Sequence, residues 1–239
     1  MNAIYHIGPA AIAAATALII AAYAWNRDRT VSIITLAWAT SAIIIGQRPM
    51  YAGLPGWQRS DWLGFMIFGM LAFAPAILLW LASQRMAGFN AFLARVPTSA
   101  LVITQAYRFG GIFLIAAYSR DQLPIQLGLV TGILDVTVAT TAIMLAGYLR
   151  GDDARAPRLV IAWAALAILD FAWAAVLITA SFAGIITINP APVMMGNPPL
   201  LIISLFALPL GIFISVYVIA RMWRLVGATP LPLRAPTRE

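Results

Sequence analysis

The chain has 239 residues, of which 62% are hydrophobic and 10% charged, and its net charge is +7. Soluble domains are about 25% charged, so a chain this apolar needs the bilayer as its solvent. It has no lysine, no cysteine, one histidine (His6) and one glutamate (Glu239), which excludes Schiff-base and phosphate-loop lysines, thiol, disulfide and iron–sulfur chemistry, and a bis-histidine haem or histidine-rich zinc site within one chain.

Seven hydrophobic segments, each near the ~20 residues that cross a bilayer, predict an all-α, polytopic membrane helix bundle. They cover residues 7–25, 30–46, 63–82, 98–118, 125–148, 159–182 and 200–223. One transmembrane domain is therefore expected over residues 1–223. An extended or disordered tail follows over 224–239, marked by Pro230, Pro232 and Pro236.

No basic residue precedes the first segment, so a cleaved signal peptide is not expected there. The second segment is the shortest, with Gln47 and its neighbours as candidates to lengthen it. The loop after it carries Gly53, Pro55 and Gly56, and its Trp57 and Trp62 suit an aromatic belt. Pro75 lies inside the third segment and Pro209 inside the seventh; each withholds a backbone N–H and can kink its helix. Between the third and fourth segments, Met86, Phe89, Phe92, Leu93 and Val96 share a helical face flanked by Arg85 and Arg95. That pattern over 85–96 fits a short interfacial helix or a loop helix packed on protein.

In the fourth segment Thr104, Gln105 and Gly111 share the face of Arg108. A polar turn, Arg120-Asp121-Gln122, leads into the fifth, where Gly128, Thr131, Gly132, Ala139, Ala142 and Ala146 share the face of Asp135. Arg108 and Asp135 lie equally far from that turn, which predicts equal depth on neighbouring antiparallel helices. Small residues let a second helix approach closely, so the Asp135 face is expected to point inward. Asp170 lies mid-way along the sixth segment, with Trp163, Ala167, Trp173 and Ala174 on its face. The adjacent Met194 and Met195 in the last outer loop have no His or Cys beside them, and no metal site is expected.

Arginines fix an expected orientation. Arg27, Arg29, Arg85, Arg95, Arg150, Arg155, Arg158, Arg221, Arg224, Arg234 and Arg238 fall on one side; Arg48, Arg59 and Arg120 fall on the other. The positive-inside bias puts the N-terminus outside and the C-terminus in the cytoplasm.

A charge at membrane depth is costly and is usually paired or functional. Arg108 and Asp135 can staple two helices together. With Asp170, Gln105 and Thr131 they can instead line a path for a proton, an ion or a small solute. One arginine balances one aspartate, so the second aspartate is a candidate proton carrier. No catalytic group and no cofactor is expected. The bilayer is the expected partner, other membrane subunits are a further one, and nucleic acid is not.

The run Gln105-Ala106-Tyr107-Arg108-Phe109-Gly110-Gly111-Ile112-Phe113-Leu114, then Leu123-Pro124, then Gly132-Ile133-Leu134-Asp135, resembles the hairpin of an uncharacterised group of bacterial multi-pass inner-membrane proteins. That hairpin has an Arg followed by Gly-rich and Phe-Leu residues, Leu-Pro, and Pro-Ala-Gly-x-x-Asp. Arg108, Leu123, Pro124, Gly132 and Asp135 match it, and Val130-Thr131 replace Pro-Ala. The resemblance covers residues 102–147 and implies no activity; it implies that the Arg–Asp pair belongs to the group. The seven-span layout also resembles microbial rhodopsins in topology, without their retinal lysine.

Three functions compete on this reading: a small transporter or proton- or ion-handling protein, an accessory or scaffold subunit of a membrane complex, and a lipid-modifying enzyme. The last would need acids near an interface, and Asp61, Asp121, Asp152 and Asp153 are loop residues. The residue inventory weighs against an enzyme.

Overall fold

The computed structural model describes residues 2–50, 62–150 and 155–228. Among them there is no strand, and seven helical stretches are long and apolar enough to cross a membrane: Ala3–Trp25, Arg29–Gly46, Leu63–Arg85, Thr98–Tyr118, Gln126–Leu149, Pro157–Phe182 and Ile203–Gly227. The chain is thus consistent with an integral, multi-pass membrane protein. Trp57, the Trp62 side chain, Arg59, Asp61, Asp152, Asp153, and the tail from residue 229 with its prolines lie outside the described residues.

Helices α1 (Asn2–Trp25), α2 (Arg29–Gly46) and α3 (Trp62–Arg85) form the first three spans. A short helix, α4 (Ala87–Arg95), follows. The fourth span is composite: α5 (Thr98–Thr104), a 3₁₀ stretch (Gln105–Gly110) and α6 (Gly111–Tyr118). The fifth opens with a π turn (Gln126–Thr131) before α7 (Gly132–Leu149). The sixth is α8 (Pro157–Phe182). A second π turn (Ile203–Ala207) leads into α9 (Leu208–Ala228), the seventh.

The ends of these helices have local causes. Asp28 caps α2, its carboxylate accepting from the Thr30 and Val31 N–H groups at 3.0 and 3.2 Å. Pro157 opens α8, where a missing N–H costs nothing. Arg150 closes α7 in the left-handed region, at φ 45°. The tail expected after Arg224 is helical as far as Ala228, because Leu225 packs on the core and prolongs the apolar face of α9.

Burial ranks the spans. The fourth and seventh are 50% and 56% buried, whereas the second and third are 22% and 17% buried. The protein core is therefore the fourth and seventh spans with α7 and α8 around them. The outer helices turn side chains such as Ile19, Leu63 and Met70 outward, toward hydrocarbon.

The short helix α4 packs on protein. Phe92, Leu93 and Val96 are buried, and Phe89 stacks on Phe213 of α9 with ring centroids 6.1 Å apart. Met86 departs from that face and is exposed. Arg221 of α9 donates from Nη1 to the carbonyls of Val96 (2.6 Å) and Leu93 (3.5 Å), satisfying carbonyls that a helix C-terminus leaves open.

Pro209 has no N–H to offer the carbonyl of Leu205, four residues back. The Trp38 indole N–H donates to that carbonyl at 3.2 Å. A freed carbonyl inside hydrocarbon needs such a partner. The π turn of the fifth span follows the same logic: the Gln126 carbonyl accepts from the Trp173 indole at 3.3 Å and from the Thr131 hydroxyl at 3.4 Å.

Candidate functional site

Arg108 is the central residue of the span Thr98–Tyr118, and Asp170 is central in Pro157–Phe182. Asp135 stands close to the middle of Gln126–Leu149. All three are buried, and their side chains meet. Arg108 Nε lies 3.4 Å from Asp135 Oδ1, and Arg108 Nη1 lies 3.5 Å from Asp170 Oδ2. The two carboxyls thus share one guanidinium.

Two glycines bring α7 up to the arginine. A Cβ at Gly111 would sit 2.6 Å from the Asp135 Cβ and 2.7 Å from the Gly132 carbonyl oxygen. A Cβ at Gly132 would sit 2.8 Å from the Gly111 carbonyl oxygen. The fourth and fifth spans therefore cross backbone against backbone beside the cluster. Gly128, one turn away, lies as closely against Tyr118.

Helix α8 holds the arginine as firmly as α7 does. Arg108 Nη2 donates to the Ala167 carbonyl at 3.0 Å, and the guanidinium carbon sits 3.8 Å above the centre of the Phe171 ring. A cation over an aromatic face in a desolvated site contributes about 2 kcal/mol. Gly211 of α9 provides room for this arrangement: a Cβ there would overlap the Tyr107 hydroxyl and lie 2.6 Å from the Phe171 ring. The Tyr107 hydroxyl donates to the Ala207 carbonyl at 2.7 Å.

The ionic contacts are not saturated. Neither Nε nor Nη1 of Arg108 has a hydrogen-bond partner among the described residues, nor has either oxygen of Asp170. A cavity of about 30 Å³ lies between α1, the 3₁₀ stretch and the second π turn; Thr16, Tyr107, Arg108 and Asp135 give it its polar wall. Its size suits about two waters. Asp135 thus forms the open edge of the cluster, and Asp170 is its innermost member, with a side chain 0% exposed.

The other two candidate residues point elsewhere. Gln105 is fully buried, but its amide donates to the Gly211 carbonyl and the Ser215 hydroxyl of α9, both at 3.1 Å. Thr131 is buried with its hydroxyl on its own π turn. Both therefore support the helices around the cluster without joining it. Gln105→Leu removes two bonds of a kind that contribute about 0.6 kcal/mol each in membranes, and it also removes a buried Oε1 that has no partner. The expected net change is within about 1 kcal/mol, read as a small shift of the thermal midpoint in detergent.

Residues that frame the site without a prior signal are Tyr107, Phe171 and Gly211. Each is an unexceptional membrane residue in sequence, and its role appears only when three helices are placed together. Trp163 and Trp173, both expected on the Asp170 face, separate: Trp163 is buried and donates to the Thr141 hydroxyl at 3.1 Å, while Trp173 is 44% exposed. The step from α8 residue 170 to 173 carries the side chain past the edge of the buried face. Met195 is buried in the apolar cluster with Tyr5 and Phe113.

The elements are consistent with a class, the multi-pass helical membrane proteins, here with one arginine between two aspartates mid-way along three helices. No protein-family model, no curated protein and no solved structure matches the chain.

Proposed function

We propose that the protein handles protons across a bacterial inner membrane through Arg108, Asp135 and Asp170, with its N-terminus outside and its C-terminus in the cytoplasm. The observation that carries this reading is the count of charges. One guanidinium faces two buried carboxylates, so a fully ionised cluster holds one surplus negative charge in hydrocarbon. Such a charge is costly, and one bound proton removes it. The proton enters from the cavity at Asp135 and passes to Asp170, which has no hydrogen-bond partner competing for it among the described residues. A small cation is the other ligand that satisfies the same charge count. The resemblance of the hairpin to a group of bacterial inner-membrane proteins extends the Arg108–Asp135 pair to that group.

The direct test is proton flux into liposomes carrying a trapped pH dye. The full chain is expected to dissipate an imposed pH gradient faster than empty liposomes. Asp170→Asn keeps the shape of the site and removes its proton carrier, so flux should fall to the empty-liposome rate while the thermal midpoint is retained. Equal flux from Asp170→Asn and the unaltered chain would sink the reading.

A structural reading competes, and one observation favours it. The Ala167 carbonyl and the Phe171 ring both hold Arg108 without any exchangeable group. On that reading the cluster pins three helices together, and the chain is an accessory subunit of a larger membrane complex. It expects no flux and a loss of stability in every single charge substitution.

A further inference from the structure

We propose that the groove between the ends of α3, α4 and α9 holds the headgroup of an anionic phospholipid. The groove encloses a cavity of about 160 Å³ and contains both Arg221 and Arg224, with the amides of Gln84 and Asn90 and the rings of Trp80 and Tyr217 around them. No acid lines it. Arg221 is fixed in place by the Val96 carbonyl at 2.6 Å, so its charge stays at the groove wall. Arg224 is exposed and has no ion pair or hydrogen bond among the described residues. Two guanidiniums and neutral amides are the donors that bind phosphate oxygens.

A lipid is favoured over free phosphate by what lies beneath the groove. On α3, Gln84 continues toward mid-membrane as Leu81, Ile77, Phe73 and Met70. These four are spaced to share one face and are 38%, 58%, 37% and 65% exposed. A phosphate held at the top therefore has an apolar track below it for an acyl chain. Basic pockets between spans at the membrane–water boundary are where anionic headgroups are recognised.

The test is native mass spectrometry of the full chain in a neutral detergent, titrated with phosphatidylglycerol, phosphatidylcholine or inorganic phosphate. The unaltered chain is expected to retain phosphatidylglycerol in preference to phosphatidylcholine. Arg224→Gln, which removes no hydrogen bond or ion pair among the described residues, should lower that affinity about fivefold, the effect of one interfacial arginine. Arg27→Gln, in the turn that follows α1 and with its guanidinium over the Tyr23 ring, should leave it unchanged. Equal retention of the two lipids overturns the proposal. So does displacement of the lipid by inorganic phosphate, which would make this a plain anion site. An equal loss in Arg27→Gln would mean diffuse charge attraction and overturns it as well.

Discussion

Arg108→Gln is expected to destabilise the protein by about 3–5 kcal/mol, the cost of leaving a buried charge without its partner. Two carboxyls lose their counter-charge at once, because Asp135 and Asp170 face the same guanidinium at 3.4 and 3.5 Å. The substitution also removes the Ala167 bond and the stacking on Phe171. The shared arginine changes what a rescue experiment should find. Arg108→Gln with Asp135→Asn still leaves Asp170 without a counter-charge, so the double variant stays impaired at alkaline pH, where Asp170 is ionised. Only the triple variant, with Asp170→Asn added, should recover most of the loss there. Unfolding in mixed micelles at rising denaturant and alkaline pH reads the series. Full recovery in the double variant under those conditions would mean that Asp170 contributes nothing to the cluster.

Gly111→Ala is expected to cost about 1–3 kcal/mol, the usual penalty for overpacking. The new methyl meets the Asp135 Cβ at 2.6 Å and the Gly132 carbonyl at 2.7 Å. Both are backbone or next to it and have little freedom to move. The helices must separate, which draws Asp135 away from Arg108. Gly147→Ala, on the facing helix α7, is the control: nothing lies within 4 Å of a Cβ there, and alanine is the better helix former. Its midpoint should stay level or rise slightly. If the two variants behave alike, the close crossing at Gly111 and Gly132 does not hold the site together.

Much of this was legible in the sequence, for physical reasons. Seven long apolar runs have one solution in a bilayer, because every backbone group must be satisfied within its own helix. The matching depth of Arg108 and Asp135 follows from counting along two helices joined by a short turn. The inward aim of Asp135 follows from its glycines. Asp170 was different, since its place depends on how far α8 rotates about its own axis, and a helix this apolar leaves that angle open. Gln105 and Thr131 show the same limit from the opposite direction. Both lie on the faces of the charged residues by spacing, yet the 3₁₀ stretch and the π turn change the rotation per residue. Gln105 bonds to α9 and Thr131 bonds to its own turn. Irregular turns of this kind have no reliable residue signature.

The bond between Trp38 and the Leu205 carbonyl has a consequence for α2. This helix is only 22% buried, with Ser32, Ala39, Ala42 and Gly46 turned inward, so over most of its surface one greasy contact can stand in for another. A hydrogen bond is directional and allows no such exchange. The indole N–H, together with the Ser32 hydroxyl that donates to the Ala21 carbonyl at 2.9 Å, therefore acts as a compass bearing that sets which way α2 faces. The acceptor is free because Pro209 withholds its own N–H, so an imino acid in the last span orients the second, across 167 residues of chain between Trp38 and Leu205.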